Sequence, residues 1–114
     1  MTPFSYLFLS HLIGDYLFQT SWMAGRKKDH WPALLTHCFV YTATVSVVAF
    51  LTFGGLSLFG ILFIFITHVL IDKQLVVQWW VTHIMSPPPS EQKWLTIVVD
   101  QTFHLIVLAI ALFL

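Results

Sequence analysis

Four apolar stretches, separated by short breaks, run along the chain, each near the ~20 residues that cross ~30 Å of hydrocarbon as a helix. The first runs from about Pro3 to Met23, with the proline tolerated in a first helical turn. Gly25, Arg26, Lys27, Lys28 and Asp29 form a polar turn, after which Trp31-Pro32 opens a second stretch reaching about Phe53. Gly54 and Gly55 interrupt it, and a third stretch runs from Leu56 through Asp72 toward Trp80. Pro87, Pro88 and Pro89 cannot lie inside a helix and predict a stiff linker. The fourth stretch starts near Gln92 and ends at Leu114. The pattern predicts an all-α fold: a polytopic membrane protein built as an antiparallel four-transmembrane-helix bundle. One integral membrane domain would span 1–114, with helices at about 3–23, 32–53, 56–80 and 92–114. The basic cluster follows the first apolar run instead of preceding it, and His11 and Asp15 interrupt that run, so it reads as a retained helix and not a cleaved leader.

Composition sharpens the class. With 58% hydrophobic and 9% charged residues, the chain is far from the roughly 25% charge of soluble domains, and its mean hydropathy is +0.84. Formal net charge is zero and the basic residues form no stripe, which argues against nucleic acid as a partner. Cys38 is the only cysteine, so no intrachain disulfide forms and a buried small residue is expected there.

The five Lys and Arg residues set an orientation. Arg26, Lys27 and Lys28 lie in the first loop, Lys73 and Lys93 flank the third break, and the Gly54-Gly55 connection carries no charge. The positive-inside rule then puts both charged loops in the cytoplasm and both termini outside. Trp22, Trp31, Trp79, Trp80 and Trp94 fall near the same interface, where indole rings anchor.

Against this apolar background stand three His/Asp pairs at four-residue spacing: His11 with Asp15, His68 with Asp72, and Asp100 with His104. Burying them costs several kcal/mol unless they share partners, protons or a metal. Counting from the tryptophans at ~1.5 Å per residue puts Asp15, Asp72, Asp100 and His37 about 9–10 Å deep, and His11, His68 and His104 one turn deeper. The order His-then-Asp on the first and third helices reverses on the fourth, as antiparallel packing requires if the groups are to converge. Gln19, Tyr41 and Thr44 extend the polar faces, and Gly14 and Gly60 permit close helix approach. His30 and His83 fall next to the interfaces and read as solvated. Lys73 either snorkels to the headgroups or neutralises Asp72.

Imidazole nitrogen and carboxylate oxygen are the ligands of zinc, manganese, iron and nickel, and no thiolate cluster competes. The expected occupant is therefore a divalent metal, zinc first. Candidate ligands are His11, Asp15, His37, His68, Asp72, Asp100 and His104, with Asp15, Asp72 and Asp100 as ligands or as general base; some carboxylates can instead orient a histidine. One metal with an open position, or two about 3.5–4 Å apart, would lower the pKa of a bound water and support hydrolysis. No phosphate loop, GxSxG elbow or HExxH motif is present.

The segments His11-Leu12-Ile13-Gly14-Asp15-Tyr16-Leu17-Phe18-Gln19-Thr20, Trp22-Met23-Ala24, Leu34-Leu35-Thr36-His37, His68-Val69-Leu70-Ile71-Asp72-Lys73 and Asp100-Gln101-Thr102-Phe103-His104-Leu105 resemble the domain of unknown function 3307 family of small bacterial and phage membrane proteins. The resemblance touches all four predicted helices and implies a multi-pass protein of the bacterial inner membrane; it supplies no substrate. A looser similarity links the chain to bacterial membrane proteins labelled metal-dependent hydrolases.

Three functions follow from this pattern. A metal-dependent hydrolase would act on a lipid or other amphiphile reaching the cytoplasmic leaflet. A proton or cation channel or transporter would use the His/Asp groups as a relay, although Val45 to Phe53, Phe59 to Phe65 and Ile106 to Leu114 offer it few polar groups. A structural membrane protein would use them only to set helix register. Membrane lipid is the expected surrounding partner, and a homo-oligomer is compatible with the surface four short helices expose.

Overall fold

The computed structural model describes residues 1–114, of which 82% are helical and none lie in strands. The elements are α1 (Pro3–Leu12), a π turn (Ile13–Leu17), α2 (Ser21–Arg26), α3 (Trp31–Phe53), α4 (Leu58–Asp72), α5 (Leu75–Trp80), a second π turn (Val81–Met85), a short 3-10 turn (Pro89–Glu91) and α6 (Gln92–Ala111). Two segments, Trp31–Phe53 and Pro89–Ala111, are long and apolar enough to cross a membrane, and Leu58–Asp72 with Leu75–Met85 makes a third if that pair is one span bent by 56°. The long axis of the molecule measures 44 Å, close to the ~40–45 Å of a bilayer with its headgroups.

The first expected helix, 3–23, is not continuous. α1 and its π turn rise only about 22 Å, and the Phe18 N–H closes that turn on the Ile13 carbonyl (3.0 Å). Thr20 then starts α2 by accepting a hydrogen bond from the Met23 N–H (3.3 Å), as an N-cap does. The chain therefore folds back before Trp22. The third expected helix, 56–80, also breaks. Gln74 takes a left-handed conformation (φ 70°), which an ordinary side chain adopts only against a steric penalty. Here polar contacts hold it: the Gln74 side-chain amide donates to Asp100 Oδ1 (2.7 Å). Lys73 does not neutralise Asp72; its ammonium donates to the Lys28 carbonyl (3.0 Å) and lies 4.3 Å from the Trp31 ring centre.

α1 packs on α3 and α6, and α4 packs on α3 and α6. Pro3, Phe53, Ser57 and Ala111 line one cavity at a common end, so α1 and α4 run away from that end while α3 and α6 run toward it. Gly54, at φ 97°, ends α3 there, and the Gly55 N–H returns to the Ala49 carbonyl (3.0 Å). Leu7, Tyr41, Val45, Ala49, Ile64, Leu108 and Ala111 form the buried apolar cluster of this half. Gly14 and Gly60 sit at close approaches: a Cβ on Gly14 would lie 3.0 Å from Tyr41 Cδ2, and one on Gly60 would lie 3.2 Å from the Ala111 carbonyl oxygen. Ionisable groups gather at the other end of the helices.

Candidate metal centre

Ser10, His11, Asp15, His37, Thr42, His68, Asp72 and His104 are buried polar residues in an otherwise apolar interior. Side chains on a helix lean toward its N-terminus. On α4, and on the π turn that continues α1, the site lies near the C-terminal end, so Asp15 and Asp72 lean into the bundle. On α6 the site lies mid-helix: His104 brings Nε2 to 3.3 Å from Asp72 Oδ1, while Asp100, one turn earlier, meets the side chains of Gln74 and Gln101. The two separate layers expected from depth alone therefore merge. One Asp72 oxygen meets two imidazoles, while Asp100 Oδ2 is 3.6 Å from His104 Nδ1 on the cleft side.

His37 Nε2 is 2.9 Å from Asp15 Oδ1, 3.0 Å from Asp72 Oδ2 and 3.1 Å from His68 Nε2. His68 Nε2 is 3.0 Å from Asp72 Oδ2 and 3.7 Å from Asp15 Oδ1. A ring nitrogen has one proton or one lone pair, so it cannot satisfy three polar neighbours by hydrogen bonding. Donor atoms around a tetrahedral ion with bonds of 2.0–2.1 Å are separated by ~3.3 Å, close to this spacing. Donor atoms of Asp15, His68, Asp72 and His104 all lie within 4.8 Å of one another. This buried His/Asp group can hold a metal ion.

His104 completes the geometry. Its Nδ1–H donates to the Asp100 backbone carbonyl (2.7 Å), so the lone pair of the neutral ring is on Nε2, 3.3 Å from Asp72 Oδ1. Both of those atoms are buried and neither has a hydrogen-bond partner. A protonated His104 makes this contact an ion pair, and a neutral one takes a cation between the two atoms; a ring N–H given to a backbone carbonyl is the usual support of a metal-bound histidine.

His11 and Asp100, both expected among the ligands, are held elsewhere. Gln101 Nε2 donates to Asp100 Oδ2 (3.0 Å), and this turns Gln101 Oε1 toward His11 Nε2 (2.7 Å). His11 therefore carries its proton on Nε2, and its Nδ1 accepts from the Tyr41 hydroxyl (2.7 Å). Both ring nitrogens have neutral hydrogen-bond partners, and Asp15 Oδ2 lies 3.9 Å from Nε2. Asp100 accepts from Gln74 and Gln101 and faces a cleft of about 280 Å³, lined also by Asp15, Gln19, Lys27 and Thr96.

Three participants were not legible as such in the sequence. Lys27, read as part of a solvated basic loop, has its ammonium 3.3 Å from Asp72 Oδ2 and donates to Gln19 Oε1 (2.9 Å). Only the reversal at Phe18–Thr20 carries it over the site. Gln74 and Gln101 orient Asp100; adjacency to Asp100 was the one available signal for Gln101. Of the remaining histidines, His83 is exposed and its Nδ1 donates to the Trp79 carbonyl (3.1 Å). His30 is only half-exposed, with its ring 5.9 Å from that of Trp22.

The family described as Protein of unknown function (DUF3307) matches residues 4–114. The chain belongs to this family. The match covers every residue of the buried His/Asp group and of the adjoining cleft, so the whole centre lies within the DUF3307 region. Neither curated proteins nor solved structures yield a match.

Proposed function

We propose that this DUF3307 protein is a metal-dependent hydrolase of the bacterial inner membrane, acting on a lipid or other amphiphile from the cytoplasmic leaflet. The observation that carries this is the convergence of buried donor atoms of Asp15, His68, Asp72 and His104 within 4.8 Å of one another, beside His37. α1, α3, α4 and α6 would be four antiparallel spans, with both termini outside. Support for that orientation comes from Lys27, Lys73 and the exposed Trp22, Trp31, Trp79, Trp80 and Trp94.

In this reading His37, His68, His104, Asp15 and Asp72 hold the metal, and zinc suits the mixed imidazole and carboxylate set. A bound divalent ion supplies a water of lowered pKa and polarises the scissile group. Asp100, outside the donor set and facing the cleft, takes the proton of the attacking water and returns it to the leaving alkoxide, so that water adds across the ester bond. Asp72 offers both its oxygens to different imidazoles, and metal counted per chain would give the number of ions these residues hold.

A proton or cation pathway is opposed by the apolar cluster of Leu7, Val45, Ala49, Ile64 and Leu108, which closes the opposite half. Elemental analysis of protein purified in mild detergent is the test. Stoichiometric metal, with hydrolysis of added membrane lipid that stops on chelation and resumes on metal return, is expected. Metal-free protein that retains activity, or a metal-loaded protein that turns over no lipid, overturns the assignment.

A further inference from the structure

Lys27 is the one lysine or arginine ion-paired with the donor group, and it meets an oxygen that a metal would also need. Its ammonium lies 3.3 Å from Asp72 Oδ2, and that oxygen is 3.0 Å from His37 Nε2 and 3.0 Å from His68 Nε2. Asp72 is 1% exposed and Lys27 19%, so a buried carboxylate is met by an ammonium arriving from the cleft. Asp15 belongs both to the donor group and to the cleft wall, so the cleft opens onto the donors. A buried carboxylate is costly without a cation beside it, and Lys27 supplies that charge. An ion bonded to Asp72 Oδ2 at about 2.0–2.2 Å would stand within about 5.5 Å of Lys27 Nζ, because the two share that oxygen. At such a separation in a poorly screened interior a divalent ion and an ammonium repel each other strongly. The ammonium has other acceptors within reach of the same cleft. It already donates to Gln19 Oε1 (2.9 Å), and Asp100, held by the neutral amides of Gln74 and Gln101, lines the cleft with it.

We infer that Lys27 is a displaceable counter-ion: it neutralises Asp72 until a divalent metal binds, and metal arriving through the cleft drives the ammonium off Asp72 toward Gln19 and Asp100. This rests on the metal-binding reading above and adds a regulation of the same site. A tethered cation competes at high effective concentration, so the site loads only with an ion that binds tightly enough to outcompete Lys27. A lysine that merely braces the donor group makes the opposite prediction, because its removal would loosen Asp72 and weaken metal binding.

The test uses full-length protein in a neutral detergent, stripped of metal and titrated with zinc against a competing chelator. Lys27→Met should bind zinc about tenfold or more tighter than wild type, while Lys27→Arg, which keeps the charge, should stay at or below the wild-type affinity. A second measurement reads the displacement in the wild-type protein itself. Acetylation of Lys27 by acetic anhydride, quantified by mass spectrometry against the exposed Lys93, should rise several-fold on zinc loading. Zinc affinity in Lys27→Met equal to or below that of wild type, or Lys27 acetylation unchanged by bound zinc, overturns the inference and leaves the metal assignment standing. Failure of both wild type and Lys27→Met to bind zinc overturns the metal assignment and the inference together.

Discussion

His104 Nε2 and Asp72 Oδ1 face each other across 3.3 Å in the interior, and the same His104 ring gives its Nδ1 proton to the Asp100 carbonyl. A protonated ring so oriented is ion-paired with the carboxylate, whereas a neutral ring presents a lone pair to it and takes a shared cation; metal binding would select the second state.

Replacing His104 by Ala should therefore lower metal affinity by more than the roughly 100-fold reached on loss of an outer hydrogen-bond partner. Elemental analysis after dialysis, with helicity followed by circular dichroism, checks this. Full metal occupancy in the folded variant would remove His104 from the donor set.

Tyr41→Phe separates a structural histidine from a ligand. It leaves His11 Nδ1 buried without the hydroxyl now 2.7 Å away, at a cost of about 1–3 kcal/mol. Thermal unfolding in detergent should show that loss while metal content stays at the wild-type value. Loss of metal in this variant would return His11 to the ligands.

The packing of the π turn on α3 gives a steric prediction. A methyl on Gly14 meets Tyr41 at 3.0 Å from Cδ2 and 3.3 Å from Cα, so Gly14→Ala should destabilise by about 1–3 kcal/mol. Gly25 has nothing within 4 Å of an added Cβ. Gly25→Ala, inside α2, should raise stability by up to about 1 kcal/mol. Equal unfolding temperatures for the two variants would contradict the close approach of Tyr41.

Topology is read by thiol labelling in a Cys38→Ala background. Thr2 and Ser90 are both exposed and fall at opposite ends of the helices. An impermeant reagent should label Thr2→Cys from the outside of intact cells and Ser90→Cys only in inverted vesicles. Both cysteines reacting from one side would contradict four spans.

Helical class, the apolar segments at Trp31–Phe53 and Pro89–Ala111, and the buried polarity of His37, His68, Asp72 and His104 were written in the sequence, because hydrophobic length and the rarity of ionisable groups among apolar neighbours are local properties. Family membership was equally legible, in the spacing of the His and Asp segments. What only the tertiary structure decided is which of those groups meet. Asp15 and Asp72, at the C-terminal ends of their segments, meet His37 and His68, whereas Asp100, in the middle of α6, meets Gln74 and Gln101. Its amide partners Gln74 and Gln101 then hold Asp100 in the cleft, and Gln101 fixes the proton of His11. The break at Phe18–Thr20 and the 56° bend at Lys73–Gln74 follow from capping and side-chain contacts made across the chain, not from hydropathy. They bring Lys27 to Asp72, two residues 45 positions apart in sequence terms only through the fold, just as they carry Lys73 to the carbonyl of Lys28.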